Sequence, residues 1–306
     1  MAARWSAPSG AQWAVGSGAH QATLVEVGGG VREYSIDGSP VIDAYPATVV
    51  CPRSAGQILT PWPNRLGGGR YEFNGVSYQL PITEVVRGNA SHGLVRWLSW
   101  QRVEQTPESV VLSCELPPQP GYPFALGLTT RWSVSASGLR ADHTAVNLGT
   151  SRAPFGFGAH PYLRVRDEEL DNLVLHLPAS KRLLVDERLL PTGKERVVGT
   201  ALDFTSPRPV GSLELDTTFT DLTRDADGIA RTRLTSEDGS GVELWQDASF
   251  GWTQVYSGIG PSGAVRQTLA IEPMSCPPDA FRSGEGLVTL APGDRWTGSW
   301  GIAPLG

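Results

Sequence analysis

Arg70-Tyr-Glu-Phe-Asn-Gly-Val-Ser-Tyr-Gln-Leu80 is the stretch that decides the fold class. Its two arms, Arg70–Phe73 and Val76–Leu80, carry the aromatic and β-branched residues of strands, and Asn74-Gly75 between them suits a turn whose two central positions both need positive φ. The reading is a β-hairpin with a type I′ turn. The same grammar runs outward from it. Upstream, Thr23-Leu-Val-Glu-Val27 meets Gly28-Gly-Gly30, and Val31-Arg-Glu-Tyr-Ser-Ile36 meets Asp37-Gly38 before Pro40-Val-Ile-Asp43. Downstream, Ser109–Cys114, Leu128–Val134, Leu173–Leu177, Val242–Trp245 and Trp252–Tyr256 read as further strands. No stretch of about 12 residues repeats apolar side chains at i, i+3, i+4 and i+7, so helix is expected to be scarce.

Among 306 residues the 36 Gly and 24 Pro are spread without a collagen-like period, and 10 Trp with many Val and Leu remain for a packed interior. No linker, charge block or fixed-period repeat divides the chain, so residues 1–306 are read as a single β domain. Many strands at short spacing fit a sandwich or a barrel of antiparallel sheets; periodicity alone does not choose between them.

The net charge of −6 includes no basic run that would track a phosphate backbone, which argues against nucleic acid. The opening MAARWSAPSGAQWAVGSG lacks the apolar block of a secretory leader, and no stretch approaches the roughly 20 apolar residues of a membrane span. A cytoplasmic protein that does not engage the membrane is the expectation. Cys51, Cys114 and Cys276 lie far apart and form no Cys-x-x-Cys pair, so they read as buried small residues. No HExxH, Cys/His cluster, Asp-rich calcium loop or Gly-x-Ser-x-Gly elbow occurs, and no metal is expected. Gly67-Gly-Gly-Arg70 lacks the Lys-Ser/Thr of a phosphate loop and reads as a turn into a strand.

Three places break the strand pattern with polar, Gly and Pro residues, where loops on a rigid scaffold tend to carry function. They are Pro61-Trp-Pro-Asn-Arg65 with Arg87-Gly-Asn-Ala-Ser-His-Gly93, then Gly156-Phe-Gly-Ala-His-Pro-Tyr162, and Ala270-Ile-Glu-Pro-Met-Ser-Cys-Pro-Pro-Asp279. His160 is either a neutral-range proton donor or a hydrogen-bonded structural histidine, and His92 faces the same choice. Glu272, at the end of an apolar strand, is either a partly desolvated general base or an ion-paired surface group. Arg65 could fork onto vicinal hydroxyls or serve a structural ion pair. His20, His143 and His176 match no motif and read as structural or surface residues.

In order, these loops resemble the aldose 1-epimerase family, also called galactose mutarotase-like proteins. The resemblance runs from about Ile58 to about Pro304 through Pro61-Trp-Pro-Asn-Arg65, Gly69-Arg-Tyr71 with the Asn74-Gly75 hairpin, Gly88-Asn-Ala-Ser-His-Gly93, Gly121-Tyr-Pro-Phe124, Gly158-Ala-His-Pro-Tyr162, Asp216-Thr-Thr-Phe-Thr-Asp-Leu222 and Ala270-Ile-Glu-Pro-Met274. It implies a large antiparallel β-sandwich, the galactose mutarotase-like supersandwich, with the sugar in a cleft on a concave face and no cofactor. It further implies Glu272 as base, His160 as acid, His92 near the ring oxygen, and Arg65 and Asp216 on sugar hydroxyls. The partner would be a small-molecule aldohexose, and the protein a monomer or homodimer. The implied reaction has Glu272 take the O1 proton while His160, entering as imidazolium from the opposite side of the hemiacetal, protonates the ring oxygen.

Sugar CH faces call for an aromatic platform; Trp62, inside the Arg65 loop, is the first candidate, a core Trp being the other reading. Trp97 and Trp100 are expected in the core. Two departures bear on the substrate. Galactose-type members carry a second Gly after the Gly93 position, where this chain has Leu94, and an Asn-His-x-Tyr-Phe setting replaced here by Ala159-His-Pro-Tyr-Leu163. Both look closer to a bacterial subgroup that includes mutarotases of modified, for instance sulfonated, sugars. A phosphorylated or sulfonated hexose would need converging cations, for which Arg53, Arg87, Arg96 and Arg152 are available. Two other readings stay open: a glycoside hydrolase using Asp216 and Glu272 as a carboxylate pair, and a non-catalytic sugar-binding protein of the same fold.

Overall fold

Asn74 and Gly75 take φ of 51° and 75°, and Arg70–Phe73 pairs antiparallel with Val76–Gln79, giving the hairpin the sequence calls for. This computed structural model describes residues 7–306; residues 1–6, part of the opening read for a leader, lie outside it. Among the described residues the only α-helix is the single turn Ala280–Ser283, beside three 3-10 turns.

Two large antiparallel sheets dominate. One has nine strands, in the order 101–105, 109–116, 126–135, 138–147, 295–305, 241–246, 230–235, 174–176 and 208–209. The other has eight, running 191–196, 179–185, 216–222, 252–256, 269–274, 158–159 and 58–59, with 162–163 also paired to 269–274. Leu126–Ser135 alternates buried and more exposed residues along its length, the period-2 pattern of a strand with one face on the core. Val255, Ile271 and Phe219 of the eight-stranded sheet share one apolar core with Leu128, Trp132, Trp300 and Leu244 of the nine-stranded sheet. The architecture is therefore a β-sandwich. A four-stranded sheet from residues 12–40 packs against it, with Trp132 Nε1 donating to Gly29 O at 3.0 Å. All three cysteines are buried and unpaired, as read.

All six residues of Leu269–Met274 are buried. Its strand partner on one side is interrupted: Gly158 pairs with Met274 and Tyr162 with Ala270, while His160-Pro161 lies between the two short strands. Proline donates no backbone hydrogen bond, so the ladder breaks there. Glu272, expected at a strand end, sits instead in the interior of this strand.

Candidate active site

Sheet register builds the site. Thr218 pairs with Gln254 and Gln254 with Glu272. Carried across the interrupted partner strand, the register shared by Gly158–Met274 and Tyr162–Ala270 sets His160 opposite Glu272. Directly opposed residues of antiparallel strands point to the same face. Thr218, Gln254, Glu272 and His160 thus form one row, and the neighbouring row carries Asp216, Tyr256, Ala270 and Tyr162. Ile271 and Val255, one position off, point the other way into the core.

Glu272 Oε1 lies 3.3 Å from His160 Nε2, and both side chains are nearly sealed. Glu272 Oε2 and His160 Nδ1 have no hydrogen-bond partner among the described residues. Burial, then the nearby Asp216 carboxylate, push the Glu272 carboxyl well above the usual carboxylate range against the opposing pull of Arg65. Burial pushes the His160 imidazole down to about 3, its own backbone resisting and Arg96 and Arg65 adding to the fall. A carboxyl driven to keep its proton and an imidazole driven to stay neutral hold one proton between them.

Around the pair a cavity of about 360 Å³ is lined by Arg65, His92, Asp216 and Tyr256 among others. His92 stands at φ 62°, its ring 5.5 Å from that of His160 and nearly edge-on. Gly93 makes this turn possible: its φ is 68°, and a Cβ there would lie 2.1 Å from Thr60 O. Burial chiefly, then the repulsion that a protonated His160 would add and the Arg96 and Arg65 charges, keeps His92 well below the ordinary histidine range. Gln254 donates to Asp216 Oδ1 at 2.6 Å, and its own amide oxygen accepts from Thr218. Arg65 approaches the other Asp216 oxygen at 3.6 Å.

Of the residues singled out in the sequence, Glu272, His160, Arg65, His92 and Asp216 meet at this cavity, and Trp62 does not. Trp62 is only 3% exposed and packs its ring 5.6 Å from that of Phe281. The platform reading is corrected: Trp62 belongs to the core, because only Asn64 and Arg65 of its loop turn toward the cavity. The aromatic faces at the cavity are Tyr256 and Tyr162, the latter stacked on His160 at 4.8 Å. Trp100 is core, as read, but Trp97 is 50% exposed with the Arg96 guanidinium 5.0 Å over its ring. His143 is structural: it is buried, bonded to Thr130 Oγ1 and accepting from Trp300 Nε1, each at 2.8 Å. Glu272 and His160 do not face each other across a sugar-sized gap; they touch. Gln254, Tyr256 and Glu84 went unseen in the sequence, since only the register and the 3-10 turn after the hairpin bring them to the cavity.

No helix among the described residues is long and apolar enough to cross a membrane. A family profile described as aldose 1-epimerase matches residues 12–302. An Escherichia coli K12 protein described as "Uncharacterized protein YihR" is 37% identical over 93% of this chain and 90% of its own length. A maltose epimerase of Levilactobacillus brevis is 30% identical over 50% of this chain and 47% of its own. The crystal structure of a putative aldose 1-epimerase from E. coli K12 superposes with a TM-score of 0.83 at 22% identity, covering 96% of this chain and 98% of that one, which speaks to the fold. With the profile spanning residues 12–302, the chain belongs to the aldose 1-epimerase family of isomerases, enzymes that act on sugars.

Proposed function

We propose that the chain interconverts the α and β anomers of a free hexose by opening and reclosing the pyranose ring, with Glu272 and His160 as the proton-transferring pair. The 3.3 Å contact between a buried carboxyl and a buried imidazole on one cavity wall carries this reading. Ring opening takes a proton from the O1 hydroxyl and gives one to the ring oxygen; reclosure on the other face reverses both transfers. The two oxygens share the anomeric carbon, so a base and an acid standing side by side can serve both. The environments of the two groups favour protonated Glu272 beside neutral His160. Passing that proton across the contact yields the carboxylate and imidazolium that open the ring, with no proton drawn from solvent. The C1–C2 bond then rotates in the open aldehyde. On reclosure Glu272 returns a proton to O1 and His160 recovers one from the ring-derived hydroxyl.

His92, Arg65 and Asp216 are placed to hold the sugar's hydroxyls and ring-oxygen side. The engagement of Asp216 by Gln254 and Arg65 suits a binding carboxylate better than the second catalytic group of a hydrolase. The test is anomer exchange of fresh α-hexoses followed by polarimetry and NMR exchange spectroscopy. Sugar binding without exchange would leave a non-catalytic binder in place of the mutarotase.

A second reading keeps the chemistry and adds an anionic group to the sugar. Arg65 and Arg87 are paired with Glu84, but Arg53 and Arg96, which also line the cavity, form no salt bridge among the described residues. Arg53 and Ser54 take φ of 52° and 57°, turning this corner of the chain beside Arg96, whose Nη1 donates to Ser54 Oγ at 3.4 Å. Arg152 is exposed and lies outside the lining. Two uncompensated guanidiniums and a hydroxyl suit a phosphoryl or sulfonate oxygen. A panel of neutral, phosphorylated and sulfonated hexoses separates the readings. The anionic one requires that Arg96→Ala raise KM for the charged sugar about tenfold or more while sparing the neutral one.

A further inference from the structure

Glu84 stands at the cavity rim and was not among the residues the sequence suggested. It precedes the 3-10 turn Val85–Arg87 and closes that turn through a β-bridge to Asn89. Its carboxylate accepts from Arg65 Nε at 3.2 and 3.0 Å, from Arg87 Nη1 at 3.1 Å and from Asn89 Nδ2 at 2.9 Å. Burial works against its charge, but these donors outweigh it and hold the carboxyl below its usual range, so it is an anion throughout neutral pH. Arg188 reaches the same segment from the turn between strand 179–185 and the edge strand 191–196 of the eight-stranded sheet. It donates to Arg87 O at 2.9 Å, Gly88 O at 2.8 Å and Asn89 Oδ1 at 3.2 Å, and accepts at its own carbonyl from Asn89 Nδ2 at 3.0 Å.

A guanidinium fixed at Nε presents its terminal nitrogens in one direction. Here one of them, Nη2, faces Asp216 at 3.6 Å, beyond a firm hydrogen bond, and the other touches Asn64 Oδ1 at 3.4 Å. Arg65 therefore sits between two carboxylates and is firmly bound only by Glu84. Without that grip it is free to close fully onto Asp216, and each would cancel the other's capacity to bind hydroxyls.

We propose that Glu84 is a positioning residue that holds Arg65 open toward the sugar, and that Arg188 fixes the segment that carries Glu84. The inference rests on the sugar-binding reading of the cavity given above. Its test is steady-state anomer exchange by Glu84→Gln and Glu84→Asp, paired with calorimetric sugar binding to Glu272→Gln with and without Glu84→Gln. Glu84→Gln is expected to raise KM about tenfold, the worth of one charge-assisted contact, while kcat stays within about threefold. Glu84→Asp is expected to recover part of that loss. Arg188→Ala is expected to raise KM in the same direction by a smaller factor.

The calorimetric pair should show the same tenfold weakening without any turnover, so a wild type that bound sugar but failed to exchange anomers would refute the mutarotase reading and leave this one standing. An unchanged KM and unchanged binding in folded Glu84→Gln overturns the inference. A fall in kcat and thermal midpoint at constant KM overturns it as well, because that is the mark of a purely structural role.

Discussion

At the residue scale, Glu272 and His160 act as one titrating unit. The proposed cycle needs exactly one proton on the pair, so activity falls when His160 gains a second at low pH and when Glu272 loses the last at high pH. His160 is pushed down to about 3 and Glu272 up from the carboxylate range, so both limits move outward. The rate profile of kcat/KM is therefore expected to be flat through neutrality, with no acid limb at the ordinary histidine value of 6.5. An inflection there would place His160 in a solvated setting and contradict the shared proton. Glu272→Gln keeps the shape and removes the proton traffic; its kcat is expected to fall by about 10²–10⁴. Sequence alone left each of these residues with a bland reading beside the functional one. Only the ordered set of motifs singled them out, and it could not reveal that burial would make His160 enter neutral instead of as imidazolium. Trp62 shows the opposite limit: a motif loop has two sides, and nothing in Pro61-Trp-Pro-Asn-Arg65 says which one the indole takes.

At the element scale, strands were readable where alternation and turn residues coincided. Val31–Ile36, Arg70–Phe73 and Trp252–Tyr256 end where Gly, Asn-Gly or loop residues predicted. Gly138–Asn147 and Arg295–Leu305 escaped notice because their apolar residues are diluted by Arg, Asp, His, Gly and Ser, yet they pair over most of their length in the middle of the nine-stranded sheet. Register between strands distant in sequence is not written in either one, so Gln254 could not be placed beside Glu272. Two outcomes follow from these elements. Gly93→Ala puts a methyl against Thr60 O in a left-handed backbone, and a loss of at least about 1–3 kcal/mol is expected, read as a lower thermal midpoint together with weakened activity at the adjoining His92. Gln254→Leu keeps volume but leaves Asp216 with Arg65 alone, so KM should rise while the fold is retained; an unaltered KM would mean that Asp216 does not touch the sugar.

At the scale of the whole molecule, the sandwich buries three neutral histidines, His92, His143 and His160, each pushed below its free value by desolvation. In the unfolded chain they bind protons from about pH 6.5 downward, while the folded chain refuses them, so folding stability falls as pH drops through that window. Glu272 acts in the opposite sense: its raised value stabilises the folded state less as pH rises above 4.5. His176, also lowered by burial, adds to the histidine side and Asp279, also raised by burial, to that of Glu272; the histidines outnumber the carboxyls, so a lower urea midpoint is expected at pH 5 than at pH 7, and equal midpoints would show that the buried histidines are hydrated. The all-β class was evident from the short strands closed by Gly, Asn-Gly and Asp-Gly turns, and the scarcity of helix from the missing apolar repeat at i, i+3, i+4 and i+7. That two sheets face each other followed only from the family resemblance; which strands neighbour one another, and that Trp132 and Trp300 lie in the shared core, was not legible, because the order of strands depends on contacts between segments far apart in sequence.

The gap at His160-Pro161 has one further consequence. Glu272 is set by the sheet and His160 by the break in it, while Glu84, Arg53 and Arg96 come from turns laid over it, so under the proposed mechanism the proton-transferring pair and part of the sugar-recognition set lie in separable parts of the chain. On the proposed mechanism, remodelling those turns would change the sugar that binds, whereas a slip of one residue in strand 269–274 would turn Glu272 away from the cavity and abolish exchange for every sugar at once.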